Sequence, residues 1–152
     1  MPAPKTRRVL MLAFENAQIL DITGPLEILA SANEWEPRTV RYEIVIAAEK
    51  SGPFATSSGM KLVADCGFSD LSPADIAGVH TFMVSGGDGT LAALGNPRLV
   101  TFAKRAAIAA PRVATVCSGA AILAATGLLD GRRATTHWNA ADAIARAFPK
   151  VR

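Results

Sequence analysis

The amino-acid sequence predicts a doubly wound α/β domain, with a mainly parallel sheet and helices on both faces. The apolar runs at residues 8–13 and 42–48 are continuous rather than alternating, which is typical of strands buried on both faces of a parallel sheet. Segments with helical character separate these strand-like runs along the chain. Alternation of this kind predicts strands and helices wound in both directions from the centre of the sheet.

Turn and cap residues set the expected order of the elements. The first helix is expected to open at Thr23-Gly24-Pro25, with Thr23 or Gly24 near its cap, and to run to Asn33. After the strand at 42–48 we expect a short β excursion over 50–64 and a brief helix capped by Ser72. The later elements are expected as a strand at 81–85, helices at 91–94 and 97–110, a strand at 113–116, a helix at 119–126, a strand at 133–136 and a helix at 139–148.

Composition limits the classes of function. The 152 residues fit a single domain, and half of them are hydrophobic, which is enough for a substantial core. The net charge of +3 is modest and comes without a nucleic-acid reading motif, so direct binding of nucleic acid by this domain is not expected. Two cysteines make no disulfide framework, and no apolar run reaches the length of a membrane span. We therefore expect a cytoplasmic protein without a membrane partner.

Cys117 carries the clearest chemical signal. The apolar run 113–116 ends at this cysteine, and Ser118 and Gly119 then open an Ala/Leu-rich helix. A strand, a tight turn and a helix in this order form a nucleophile elbow, which lifts a side chain above the sheet. The free N–H groups and the dipole at the start of the helix favour a thiolate. A free cysteine is most often a small buried hydrophobe; the elbow favours a site residue at Cys117, whereas Cys66 has no such context.

Other candidates lie after neighbouring strands. Gly86 and Gly87 end the strand at 81–85, and their N–H groups could bind an anion or a carbonyl oxygen together with the amide of Ser118. A plain tight turn is an equally good interpretation of this Gly-rich segment. No dinucleotide fingerprint follows the first strand, and no cluster of His, Cys and Asp has metal-ligand spacing, so neither a cofactor nor a metal is predicted.

Three side chains are candidate acids or bases near the thiol. Glu15 follows the first strand, and Asp21 lies at the approach to the first helix, where either carboxylate could take a proton. A loop charge and a helix-entry residue are the alternative interpretations of these two. His137 could form a nucleophile pair with Cys117, although a lone histidine is more often structural.

Five segments in order along the chain resemble the ThiJ/PfpI superfamily, whose flavodoxin-like fold is that of class I glutamine amidotransferases. They are residues 20–27 (LDITGPLE), 57–59 (SSG), 84–87 (VSGG), 116–120 (VCSGA) and 127–138 (GLLDGRRATTHW). The first and last segments are similar to one branch of that superfamily. This branch contains isonitrile hydratases and the amidase-like N-terminal domains of AraC-type transcriptional regulators.

The resemblance implies roles for individual residues. Cys117 corresponds to the elbow cysteine of the superfamily, and Asp21 to the acid of the isonitrile hydratases, which ranks it above Glu15. Ser118 stands where those hydratases have threonine and PfpI-type enzymes have histidine, which argues against a PfpI-like protease or deglycase. Family members continue past the segment that matches 148–152, so the resemblance implies that the last strands and helix are missing. A homodimer is expected, because a partner would cover the exposed sheet edge.

Three hypotheses about function follow. The first is a ligand-sensing domain of an AraC-type regulator, which predicts a helix-turn-helix domain encoded downstream. The second is an isonitrile hydratase-like enzyme that adds water to R–N≡C, with Cys117 as the nucleophile, Asp21 handling protons, and Ser118 with Gly87 positioning the intermediate. The third is a redox-sensing thiol in which Cys117 cycles through sulfenic acid. In each of them the expected partner is a small molecule, and the shared cysteine leaves sensor and enzyme both open.

Overall fold

The computed structural model describes residues 4–35 and 39–152 and has strands alternating with helices. The strands are β1 Lys5–Leu12, β2 Val40–Ala48, β3 Gly52–Ala55, β4 Lys61–Ala64, β5 Cys66–Gly67, β6 Val79–Val84 and β7 Arg112–Thr115. The helices are α1 Ile19–Trp35, α2 Pro73–Ala77, α3 Thr90–Leu94, α4 Pro97–Ala109, α5 Ala120–Ala125 and α6 Ala141–Ala147, with 3₁₀ turns at Cys117–Gly119 and Trp138–Ala140.

The central sheet has the strand order β5-β2-β1-β6-β7, and every neighbouring pair in it is parallel. The central strand β1 is the most deeply buried, because its second half, residues 9–12, has almost no solvent-exposed surface. This agrees with the continuous apolar run in the sequence. Strands β3 and β4 form a separate antiparallel pair, which is the predicted β excursion. The predicted α/β class with a mostly parallel sheet is confirmed.

The first helix begins earlier than predicted. Helix α1 starts at Ile19, and Pro25 lies inside it rather than at its first turn. The hydroxyl of Thr23 does not cap the helix but donates to the Ile19 carbonyl at 3.0 Å, a bond within the helix. A proline inside a helix removes one helical hydrogen bond and crowds the carbonyl four residues earlier, which here is that of Asp21. The earlier start places Asp21 in the first helical turn.

The predicted strand at 133–136 is wrong. In place of a strand, residues 131–134 run beside residues 150–152 and share three backbone hydrogen bonds, Gly131 N–H to Lys150 O, Arg152 N–H to Arg132 O and Ala134 N–H to Arg152 O. A strand needs a continuous ladder to a partner, and this short pairing does not reach the central sheet. The last helix, α6, is also shorter than predicted and follows a 3₁₀ turn.

The carboxyl ends of three neighbouring strands meet at one edge of the sheet. The amide of Ser85 donates to the Leu12 carbonyl at 3.1 Å, and the amide of Val116 donates to the Val84 carbonyl at 2.9 Å. These bonds hold the ends of β1, β6 and β7 side by side, so the loops that follow them share one edge. Ligands of open α/β sheets bind at this kind of edge. Among the helices of residues 4–35 and 39–152, none combines the length and the apolar character needed to cross a bilayer.

Candidate functional site

Cys117 lies on the sharp turn between β7 and α5, as the elbow pattern predicts. Its φ of +52° is in the left-handed region, which non-glycine residues enter mainly where surrounding structure forces them to. The turn is tight because Gly119 lies directly over the end of β6. A Cβ on Gly119 would stand 2.6 Å from both the Val84 and the Ser85 carbonyl oxygens. Gly119, two residues after Cys117, therefore allows the close contact between the start of α5 and the end of β6.

The Asp21 carboxylate reaches this elbow from the first turn of α1. Its Oδ2 atom accepts a hydrogen bond from the Gly86 amide at 3.2 Å. The pKa of the Cys117 thiol is raised, chiefly by burial and further by the negative charge of Asp21 and by the hydrogen bond between the thiol and that carboxylate. Hydrogen bonds from the amide and hydroxyl of Ser118 lower the pKa, but the net direction is upward. Although the start of the helix favours a thiolate, burial and Asp21 act in the opposite direction on the pKa of the thiol.

The Ser118 hydroxyl is fixed by a network with the Gly-rich turn after β6. Its oxygen accepts the Gly87 N–H at 3.0 Å and lies 2.8 Å from the Thr90 hydroxyl oxygen. Thr90 is buried and donates to the Gly87 carbonyl at 2.7 Å. Three N–H groups were predicted as oxyanion donors, those of Gly86, Gly87 and Ser118. The Gly86 N–H donates to Asp21 and the Gly87 N–H donates to the Ser118 hydroxyl, so these two take part in bonds within the protein.

Glycine is required at both positions of this turn. A Cβ on Gly86 would lie 2.6 Å from the Ser118 amide nitrogen and 2.7 Å from its hydroxyl oxygen. Gly87 has a φ of +126°, and a Cβ there would overlap the backbone of Ala17 and Gln18. The two glycines therefore let the β6 turn, the start of α1 and the elbow approach each other closely.

A cavity of about 350 Å³ opens above the elbow. Most of the side chains around it are polar. Its lining residues are Gln18, Ser57, Gly87, Asp88, Cys117, Ser118, His137, Asn139 and Ala140. His137 is therefore brought to the same cavity as Cys117, and its exposed ring accepts the Asn139 N–H at Nδ1, at 3.2 Å. The hydroxyl of Thr136 donates to the Cys117 carbonyl at 2.9 Å and joins this segment to the elbow.

Glu15 is not part of the elbow cavity. Its Oε2 atom accepts the Ala55 N–H at 3.0 Å, and its side chain lines a different cavity beside the β3–β4 pair. Glu15 and Asp21 both follow β1, but only Asp21 turns toward the thiol.

In the part of the chain that the structure describes, no group of three or more His, Cys, Asp or Glu side chains could hold a metal ion.

Several residues of the site were missed at the level of sequence. Thr90 holds Ser118 and Gly87 together, and Gln18 and Asp88 line the cavity. Asp88 follows Gly87 directly, so its place in the Gly-rich turn could have indicated a position near the site. Thr136 was visible as the neighbour of His137, within a segment that already indicated a site. Nothing local in the sequence marks Thr90, because its partner Ser118 is 28 residues away.

Fold and site together define an α/β domain with a cysteine elbow at the carboxyl edge of its sheet. The sequence pattern of the DJ-1/PfpI family matches residues 7–151. The chain belongs to the DJ-1/PfpI family, which confirms the resemblance seen in its motifs.

The relatives include both kinds of protein that the motifs suggested. The chain is 39% identical over 143 residues to a Streptomyces lividans protein from the cpoL 5′ region, covering 93% of this chain and 95% of that one. It is 34% identical over 127 residues to the isonitrile hydratase of Pseudomonas putida, covering 84% of this chain and 50% of the hydratase. It is 32% identical over 145 residues to the HTH-type transcriptional regulator GlxA of Rhizobium meliloti, covering 95% of this chain and 43% of the regulator. The chain thus spans half or less of these last two proteins.

Solved structures agree with this assignment. A ThiJ/PfpI family protein from Pseudomonas syringae has a TM-score of 0.82 at 28% identity, with 99% of this chain and 57% of that one covered. An AraC family transcriptional regulator from Pseudomonas putida has a TM-score of 0.73 at 20% identity, with 96% of this chain and 75% of that one covered, and it shows the shared fold alone.

Proposed function

We propose that this domain is a ligand-sensing domain of the kind that precedes the DNA-binding domain in AraC-type regulators, and that its ligand is a small polar molecule bound in the elbow cavity. Similarity to HTH-type regulators such as GlxA supports this proposal. One structural observation carries it. The N–H groups of Gly86 and Gly87 donate to Asp21 and Ser118, so neither is directed at the place where an oxyanion would form.

The state of the thiol supports binding over acyl transfer. Catalysis by a cysteine nucleophile needs a thiolate together with free donors for the developing negative charge. The pKa of Cys117 is instead raised by burial and by Asp21. A protonated thiol and a closed hydrogen-bond network make a stable floor for a binding pocket.

The lining of the cavity indicates the character of the ligand. Gln18, Ser57 and Asn139 offer both donors and acceptors, and Asp88 and His137 add groups that form charge-assisted hydrogen bonds. A cavity of about 350 Å³ is in the range that small molecules occupy. We therefore expect a ligand with several polar atoms rather than an apolar one.

The test is binding without turnover. The common amino acids and their primary amides would be screened by NMR against the intact chain, with Ala140→Phe to fill the cavity and Ala109→Phe as a matched change at an exposed site on α4. At least one probe should bind saturably to the parent chain and to Ala109→Phe, lose binding in Ala140→Phe, and be recovered unchanged. If no probe binds, or if Ala140→Phe binds the probe as tightly as the parent chain does, the proposal fails.

A second candidate is an isonitrile hydratase-like enzyme, and the pairing of Asp21 with the Cys117 thiol favours it. Addition of a thiol to R–N≡C places both the sulfur and the proton on the same carbon. Asp21 would take the proton as the S–C bond forms and return it to that carbon, giving the thioimidate R–N=CH–S–Cys117. Water would then add across the C=N bond, and cleavage of the C–S bond would release R–NH–CHO and the thiol. The identity to the Pseudomonas putida hydratase supports the same chemistry.

The two candidates differ in turnover. Cyclohexyl isocyanide would be incubated with the chain, and N-cyclohexylformamide would be measured by gas chromatography. The hydratase candidate requires formamide at a rate that disappears in Cys117→Ala and falls at least about a hundredfold in Asp21→Asn. If the parent chain forms no more product than Cys117→Ala, the second candidate is excluded. If the parent chain forms the formamide and Cys117→Ala does not, the proposal that the domain binds its ligand without turnover is excluded.

A further inference from the structure

A second cavity, of about 420 Å³, lies beside the elbow site at the carboxyl ends of β1 and β2. Its walls are apolar and well buried, since each of the five side chains that form them is at most 6% exposed. These are Phe14, Ala48, Phe54, Ala93 and Leu99. Such an apolar cavity at the carboxyl edge of a parallel sheet is where small ligands bind in α/β proteins.

Two carboxylates stand at the mouth of this cavity. The Glu15 Oε2 atom accepts the Ala55 backbone N–H at 3.0 Å. The Glu49 Oε2 atom accepts a hydrogen bond from the side-chain Nδ2 of Asn96 at 3.3 Å. Each carboxylate thus has one hydrogen bond and remains exposed to solvent. Within residues 4–35 and 39–152, neither carboxylate forms a salt bridge, and Lys50 is the single cation in the lining. The mouth therefore has an excess of negative charge above an apolar interior.

We propose that this cavity is a second binding site, and that its ligand is a small amine with an apolar or aromatic body. The body would pack between Phe14 and Phe54, and the ammonium group would remain at the mouth between Glu15 and Glu49. Both parts of the ligand follow from the lining, because apolar walls favour apolar surface and paired carboxylates favour a cation.

The second cavity and the elbow cavity are lined by different residues of the same two loops. The loop after β1 gives Glu15 to one cavity and Gln18 to the other, and the turn after β6 gives Gly89 and Gly87 in the same way. Backbone hydrogen bonds join these loops, with the Gly89 N–H donating to the Asn16 carbonyl at 2.9 Å. Asn16 has a φ of +59°, in the left-handed region that asparagine enters more readily than most residues.

The test compares two probes that share one aromatic body and carry opposite charges. Naphthylmethylamine and naphthoate would be titrated into the intact isotope-labelled chain, and binding would be followed by amide NMR shifts. The amine should bind saturably and at least about tenfold more tightly than naphthoate. Replacing both carboxylates, by Glu15→Gln with Glu49→Gln, should remove most of that preference for the amine.

Cavity-filling variants locate the bound amine. Ala92 is exposed at the mouth, so Ala92→Phe should weaken amine binding at least about tenfold while the chain stays folded. Ser51 also lines the cavity, and Ser51→Phe is a second variant with the same expected effect. Ala109→Phe lies outside the cavity, and Ala140→Phe fills the elbow cavity, so both should leave amine binding unchanged. Equal binding of naphthoate, no saturable binding of the amine, or loss of binding in Ala140→Phe but not in Ala92→Phe would overturn the proposal.

Discussion

The elbow cavity has two walls of different construction. One wall contains Gly87 and Ser118, which bond to each other, and the adjoining Gly86 donates to Asp21 in the first turn of α1. The other wall is the segment around His137, where neither the 3₁₀ turn Trp138–Ala140 nor helix α6 contains a buried residue. We call the first the buried wall, because Gly86 is buried and Asp21, Gly87 and Ser118 are partly buried, and the second the exposed wall.

This difference separates chemistry from ligand choice. The buried wall determines the protonation of the Cys117 thiol, because burial and Asp21 act on it there. The exposed wall contributes polar side chains that can change without cost to the core, as surface segments generally do. We expect substitutions in the buried wall to change stability and thiol reactivity, and substitutions in the exposed wall to change ligand binding.

The largest expected effect comes from adding one methyl group to the buried wall. Gly87→Ala would force a Cβ into the backbone of Ala17 and Gln18 at a φ of +126°, so we expect a loss of more than about 3 kcal/mol in the free energy of unfolding. The measurement is unfolding by urea followed by circular dichroism. Gly78→Ala is the matched control, since a Cβ there makes only ordinary van der Waals contacts and the residue has a φ of −78°. It should change the free energy of unfolding by less than about 1 kcal/mol. Equal stability of the two variants would contradict the rigid-wall account.

A smaller loss is expected from Thr90→Val. This change keeps the shape of the buried side chain but removes its hydrogen bonds to Gly87 and Ser118. Losing these two hydrogen bonds should cost about 1 to 3 kcal/mol in unfolding free energy, at about 0.5 to 1.5 kcal/mol for each bond. Thr101→Val on the exposed face of α4 is the control and should change stability by less than about 0.5 kcal/mol. The idea of a Thr90-centred network would be wrong if both variants behaved alike.

The pH dependence of stability gives a further, smaller effect. Because burial and Asp21 raise the pKa of Cys117 in the folded chain, the unfolded chain loses this thiol proton first as the pH rises. The stabilisation is therefore complete below the ordinary thiol value of about 8.5 and is lost as the pH rises through the folded pKa. Urea unfolding of the parent chain and of Cys117→Ser, compared from about pH 7 to pH 10, isolates this contribution. A parent chain that gained stability relative to Cys117→Ser over that range would reverse the sign that we infer.

The smallest effect on stability is expected in the exposed wall. His137→Ala removes an exposed ring that accepts one hydrogen bond from Asn139, so the free energy of unfolding should change by less than about 0.5 kcal/mol. Probes that bind in the elbow cavity should nevertheless bind more weakly to this variant, because His137 lines the cavity. NMR titration beside urea unfolding checks both parts. A large loss of stability would contradict the inference that the exposed wall contributes little to the stability of the fold.

The sequence predicted the sheet and the elbow because both are local signals. Continuous apolar runs marked β1 and β2, and the strand that ends at Cys117 before a run of small residues marked the turn. Local signals could not decide which of the two candidate acids, Glu15 or Asp21, lies beside the thiol. Whether Glu15 or Asp21 faces the thiol depends on the path of the loop after β1 and on the start of α1 at Ile19.

The errors share one physical cause, which is dependence on distant partners. The run at 133–136 has strand-like residues, but a strand exists only where a neighbour completes its ladder. Thr90 became important only when folding brought it to Ser118. The thiolate that the helix start favours was opposed by burial and by Asp21, which approaches from another element.

The central claim is that burial and Asp21 raise the pKa of the elbow thiol. The most direct test is the rate of alkylation of Cys117 by iodoacetamide as a function of pH, measured in a Cys66→Ser background with and without Asp21→Asn. We predict a midpoint above the ordinary thiol value of about 8.5 in the parent chain, and a lower midpoint with faster alkylation at pH 7 in Asp21→Asn. A parent midpoint below about 7.5, or one that Asp21→Asn leaves unchanged, would contradict the account.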